Sequence, residues 1–122
     1  MSKVAVSVSP NDRLSTVIDL MHVQRNSCVL VTENGLAKGI FTERDVVGIF
    51  SELQASKQIP NVAIGQVMTT NPVCVSEDMS LYDALMLARS RQLRHLPVID
   101  KNEKLVGLVT QTDMVDAYLD LV

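Results

Sequence analysis

One stretch of this chain is written twice. Gly39-Ile40-Phe41-Thr42-Glu43-Arg44-Asp45-Val46-Val47 returns as Gly107-Leu108-Val109-Thr110-Gln111-Thr112-Asp113-Met114-Val115. Both copies read Gly-apolar-apolar-Thr-x-x-Asp-apolar-Val. Upstream, Val6-Ser7-Val8-Ser9 answers Val73-Cys74-Val75-Ser76, Leu14 answers Leu81, Leu20 answers Leu87, Val31 answers Val98, and Met1 answers Met68. The offset there is one residue shorter, and an extra residue in the turn after Asp100 accounts for it. A repeat of this size predicts two similar halves about a pseudo-two-fold axis, with a cleft where equivalent residues face each other. The first unit is expected over residues 1–60 and the second over 61–122.

The length of 122 residues suits one compact body or two fused half-domains with a sizeable core. Apolar residues make up 47% and charged residues 20%, as in a soluble globular protein. Aromatics are 3% with no Trp, so the core has to be built from Val, Leu, Ile and Met. A net charge of −3 gives no general attraction to nucleic acid or to an anionic membrane. No apolar run approaches a membrane span, and Met1-Ser2-Lys3-Val4 lacks signal-peptide architecture. Cys28 and Cys74 are too few for a disulfide framework; reduced thiols in a cytoplasmic protein are the plain expectation.

Hydrophobic period and turn residues predict β-α-β-β-α in each half. In the first, Val4 to Val8 is a strand and Ser9-Pro10-Asn11-Asp12 a helix start with Ser9 as cap. Leu14, Val17, Ile18 and Met21 line that helix. Cys28 to Thr32 and Leu36 to Phe41 are strands joined by a tight Asn34-Gly35 turn, and a helix runs from Glu43 to about Ser56. In the second, Pro72 to Val75 is a strand and Ser76-Glu77-Asp78 a helix start. A helix runs to about Gln92. Leu96 to Ile99 and Leu105 to Thr110 form a hairpin around a polar turn. A last helix spans Gln111 to Leu121, with Met114, Ala117, Tyr118 and Leu121 on one side. Leu36, Ile40, Phe41 and Val47, with Leu105, Leu108, Val109 and Val115, are expected in the core.

Three runs together resemble a known family. Val67-Met68-Thr69-Thr70-Asn71-Pro72-Val73, Arg94-His95-Leu96-Pro97-Val98-Ile99-Asp100 and Gly107-Leu108-Val109-Thr110-Gln111-Thr112-Asp113 look like a CBS domain, named for cystathionine β-synthase. The first half looks like a second, more diverged copy, so the resemblance covers essentially the whole chain. It implies an α/β (α+β) fold: two β-α-β-β-α units packed sheet to sheet as a pseudo-two-fold pair, with adenosine-containing ligands in the clefts between them. It also implies a regulatory role towards an attached or partner protein, energy sensing, and a homodimer. Met1 stands almost at the first strand, so a helix preceding the first unit in relatives would be short or absent here.

Each candidate residue has a plain reading beside a functional one. Thr42-x-x-Asp45 and Thr110-x-x-Asp113 are capping boxes, which satisfy free N–H groups at a helix start without any ligand. The same carboxylate can also accept hydrogen bonds from vicinal ribose hydroxyls, and the Thr and first-turn amides can meet a phosphate. In the family the Asp of this motif holds ribose and the Thr lies close by. Arg94 and His95 stand at a helix-to-strand junction. Basic residues there complement a helix C-terminus; in the family the junction borders the cleft, and an Arg fork fits phosphate oxygens. Arg89 and Arg91 do only the former. The first half carries Ser27-Cys28 at that place, and Arg44 could supply charge instead. Thr70 and Val73 flank a turn-forming Asn71-Pro72; in the family this segment lies against adenine. Because the first half has Lys3-Val4-Ala5-Val6 there, and Leu30 where the second has Pro97, one good site with Asp113 and a weaker or empty one with Asp45 are expected.

His22 has no partner at ligand spacing, so a metal site is not expected. No Cys-His or Ser-His-Asp constellation and no Gly-rich phosphate loop appears, so catalysis is not expected and no cofactor is required. The leading expectation is a sensor of an adenine nucleotide or S-adenosylmethionine. A ligand-independent interaction module, with the Thr-x-x-Asp motifs only as caps, is the alternative. Nucleic-acid binding through Arg89, Arg91, Arg94 and His95 is opposed by the acidic balance.

Overall fold

The computed structural model describes residues 6–53 and 58–121. It has two sheets and four helices, and it divides into a unit of Val6–Asn71 and a unit from Pro72 onward.

In the first unit, β1 (Ser7–Val8) lies parallel to β2 (Cys28–Glu33), with α1 (Leu14–Gln24) crossing between them. β3 (Leu36–Thr42) returns antiparallel to β2. The turn joining them holds Asn34 at φ 55 and Gly35 at φ 81. Two consecutive positive φ values are what a two-residue hairpin with native twist needs, hence Asn-Gly. α2 (Glu43–Leu53) follows, and β4 (Thr69–Thr70) completes the order β1-β2-β3-β4. Along β2, Cys28, Val29, Leu30 and Val31 are all buried. Only Val29 and Val31 join the core that α1 covers with Leu14, Val17 and Met21, because successive strand side chains take opposite faces. Phe41 and Ile64 complete that core.

The second unit is the same device. β5 (Val75–Ser76) is parallel to β6 (His95–Ile99), and β7 (Leu105–Thr110) is antiparallel to β6. α3 (Leu81–Arg91) and α4 (Gln111–Asp120) pack on this sheet through Ala84, Ala88 and Met114, against Val75, Leu96 and Val98. The turn expected after Ile99 is built on Asp100, whose Oδ1 accepts from the amides of Asn102 (2.8 Å) and Lys104 (3.0 Å).

The expected order β-α-β-β-α holds in both units, with corrections at its edges. Val4 and Ala5, the start of the first expected strand, and Ser56, the end of the helix after Glu43, lie outside the described residues. Ser9 does not cap α1. The Ser9 to Asp12 segment closes a turn on itself, the Ser9 amide donating to Asp12 Oδ2 at 2.9 Å. α1 starts later, at Leu14, whose amide donates to the Val62 carbonyl at 2.9 Å. A free first-turn donor thus finds backbone where a side-chain cap was expected. Ser76 also serves a turn, accepting from the Asp78 amide at 3.1 Å, and Ser80 is the cap of α3, accepting from the Asp83 amide at 3.0 Å. Of the strand expected over Pro72 to Val75, only Val75 pairs, and Ser76, expected at the helix start, pairs beside it.

The segment after α2 belongs by packing to the first unit. Ile64 is fully buried in the first core, its amide donates to the Asp12 carbonyl at 2.7 Å, and β4 pairs with β3. The packing boundary therefore follows Asn71, whereas the repeat register draws it after residue 60. Two residues expected in the core, Val47 (64%) and Val115 (41%), are exposed, and so are Ala117, Tyr118 (41%) and Leu121 (75%) on the helix side that carries Met114. α2 buries no residue fully, and α4 buries only Met114.

Candidate functional site

Each unit presents the same junction, where its last hairpin strand runs directly into its last helix. At β3–α2, the Thr42 amide donates to Asp45 Oδ2 at 2.9 Å and the Asp45 amide donates to Thr42 Oγ1 at 3.4 Å. The Thr42 hydroxyl also donates to Asp45 Oδ2, at 3.2 Å. At β7–α4, the Thr110 amide donates to Asp113 Oδ2 at 3.1 Å and the Asp113 amide to Thr110 Oγ1 at 3.0 Å. Both are reciprocal capping boxes. In each box the carboxylate accepts through Oδ2. Asp45 and Asp113 are half-buried, so water does not fully screen either charge.

A second backbone bond fixes what lies beside each junction. The Glu43 amide donates to the Ser27 carbonyl, and the Gln111 amide to the Arg94 carbonyl, each at 2.9 Å. Sheet register then sets Cys28 opposite Thr42 and His95 opposite Thr110. So the second junction gathers Thr110, Asp113, Arg94 and a half-buried His95, with the Arg94 side chain exposed. The first gathers Thr42, Asp45, Ser27 and a buried Cys28, with Arg44 exposed in the first turn of α2. Burial, and then the Asp45 carboxylate, push the Cys28 thiol up to about 12. The first junction thus carries a buried thiol where the second carries His95.

Thr70 is exposed on β4, opposite Gly39 of β3, and so is held in the first unit. Its segment was expected to be a loop and is a short strand. Val73 is half-buried and packs against the core of the second unit. The sequence reading did not find the two bonds to the Ser27 and Arg94 carbonyls. They run through backbone, and no side-chain pattern signals them.

Elsewhere in the first unit an open depression of about 520 Å³ lies at the start of α1, with Arg13, Asn61 and Gln66 in its lining. None of the candidate residues lines it. Among the described residues no group of three or more His, Cys, Asp or Glu could hold a metal ion, and no helix is long and apolar enough to cross a membrane.

Twin β-α-β-β-α units, each with a Thr-x-x-Asp capped helix after its hairpin, define a tandem-repeat module. The sequence model of the CBS domain matches residues 1–52 and 64–120, and the chain belongs to the CBS domain family. It is 33% identical over 114 residues to the CBS domain-containing protein YhcV of Bacillus subtilis, covering 93% of this chain and 79% of that one. It is 31% identical over 113 residues to an inosine-5′-monophosphate dehydrogenase of Methanocaldococcus jannaschii, covering 92% of this chain and 21% of that enzyme. The match to that enzyme is thus confined to a fifth of its length. The crystal structure of CBSX2 of Arabidopsis thaliana in complex with AMP superposes with a TM-score of 0.81 at 28% identity, covering 98% of this chain and 90% of that one.

Proposed function

We propose that this chain is a regulatory module that binds an adenosine-containing nucleotide and passes its ligand state to a partner or attached protein, without catalysing a reaction itself. The observation that carries this reading is the second junction. Its capping box places the half-buried Asp113 carboxylate at the start of α4, while a backbone bond holds Arg94 against the same first turn. In this reading Asp113 accepts the ribose hydroxyls and Thr110 lies close to them. Arg94 and His95 reach the phosphates, and Thr70 and Val73 border the base. Thr42, Arg44 and Asp45 form a second, weaker site beside the deprotonation-resistant Cys28. The AMP bound by CBSX2 supports the ligand class; S-adenosylmethionine is the alternative within it. The working compartment in this reading is the cytoplasm.

The test is thermal unfolding of the wild type and Asp113→Ala with AMP, ADP, ATP and S-adenosylmethionine. A ligand at a hundred times its Kd stabilises by about 2.7 kcal/mol. Asp113→Ala on its own costs about 1 kcal/mol as a lost cap. The expected result is a ligand-induced rise in the wild type that is absent in the variant. A rise of equal size in both would sink the assignment of Asp113.

A second reading, a ligand-independent dimerisation or interaction module, is favoured by the apolar residues left on two helices. Val47 (64%) and Phe50 (48%) are exposed on α2, and Leu119 (59%) and Leu121 (75%) on or beside α4. We infer a homodimer through such surfaces, since a second copy would remove them from water. Sedimentation of the wild type and Phe50→Glu decides it: a dimer that dissociates in the variant supports the interface, and a wild-type monomer excludes it.

A further inference from the structure

β4 is two residues long, and Thr70, its outermost paired residue, is exposed. A pair this short does not hold itself against water. The residue after it, Asn71, adds a cost by adopting φ 51 while its amide reaches the Lys38 carbonyl at 3.2 Å. Something else must fix the segment. Val67 and Met68 are the side chains of residues 67–71 that pack on the first core, and Met68 adjoins the strand directly.

The Met68 side chain lies on the bare backbone of Gly39. A Cβ placed on Gly39 would fall 2.8 Å from Met68 Cγ and 3.0 Å from Cε, and closer still to Sδ. The whole thioether would have to leave its seat, since carbon atoms pack no nearer than about 3.5 Å. Gly39 is also the residue paired with Thr70. One glycine therefore both receives the Met68 side chain and stands opposite Thr70 in the strand that Met68 leads.

We propose that Met68, seated on Gly39, is the positioning residue that fixes Thr70 for ligand binding. The part concerning ligand rests on the assignment of Thr70 as a base contact; the part concerning the strand does not. The position of Thr70 is set one step away from any ligand, by an apolar peg in a slot that only glycine leaves open.

Gly39→Ala, Met68→Ala and the double variant test this with two readouts, amide exchange at Asn71 and AMP affinity. Each single variant is expected to exchange the Asn71 amide about tenfold faster and to bind AMP about tenfold more weakly. The double variant should be no worse than either single, because both changes remove one contact. Ile64→Val, which removes one methyl from the same core and changes neither Gly39 nor Met68, should leave both readouts near wild type. Unchanged Asn71 exchange in Gly39→Ala, or additive losses in the double variant, would overturn the proposal. If the wild type itself does not bind AMP, the nucleotide reading fails, and the exchange readout still decides whether Met68 positions the strand.

Discussion

Arg25 and Gln92 end their helices in the same left-handed conformation. Arg25 closes α1 at φ 58 with its amide shared between the His22 and Met21 carbonyls; Gln92 closes α3 at φ 55 with its amide shared between the Ala88 and Arg89 carbonyls. The duplication has preserved a backbone shape that neither side chain favours. An L-residue in this conformation costs about 1–2 kcal/mol, and glycine escapes most of that. Arg25→Gly and Gln92→Gly should each raise stability by roughly 0.5–1 kcal/mol. Denaturant titration checks it, and a loss of stability in both variants would contradict the geometry.

Ile64 provides the second prediction. It lies beyond the last helix of the first unit yet is fully buried with Leu14, Val17 and Phe41. Ile64→Ala should therefore cost about 2–5 kcal/mol, as in any packed core. A cost below 1 kcal/mol would show that the segment only rests on the surface of the unit.

The third concerns pH. The Cys28 thiol is raised from 9.0 to about 12 by burial first and the Asp45 charge second. Its neutral form is therefore the one the fold favours. The resulting stability is fully present below pH 9 and is lost as pH rises through about 12. The loss amounts to roughly 2–4 kcal/mol across that window. Cys28→Ala should flatten the fall in stability above pH 9. Iodoacetamide at pH 8 should also modify the half-buried Cys74 well before Cys28 in the native protein, and both alike in denaturant. Equal native rates would refute the buried placement of Cys28.

The sequence revealed most where local chemistry and the repeat agree. Asn34-Gly35 demanded a hairpin, and the Thr-x-x-Asp copies demanded capped helices; both are present. It misled where a residue with a strong local habit had a tertiary competitor. Ser9 is a good cap, yet the Val62 carbonyl takes the Leu14 amide instead. Val47 and Val115 occupy apolar positions of the repeat, yet both stand on exposed sides of their helices, since an apolar repeat position does not say which face a helix turns to its core. The pairing of Thr69 and Thr70 with β3 was illegible, because a turn-forming Asn71-Pro72 next door reads as loop and the anchor is a methionine on a glycine distant in sequence.

The bonds from Glu43 to Ser27 and from Gln111 to Arg94 are made by main-chain atoms alone. The clasp itself therefore asks nothing of the side chains at these two places. That is why one copy of the unit can carry Ser27-Cys28 and the other Arg94-His95 on the same frame. Mutation can change the side chains each junction presents while leaving untouched the clasp that builds it, and a duplicated gene so arranged can diversify its two junctions independently.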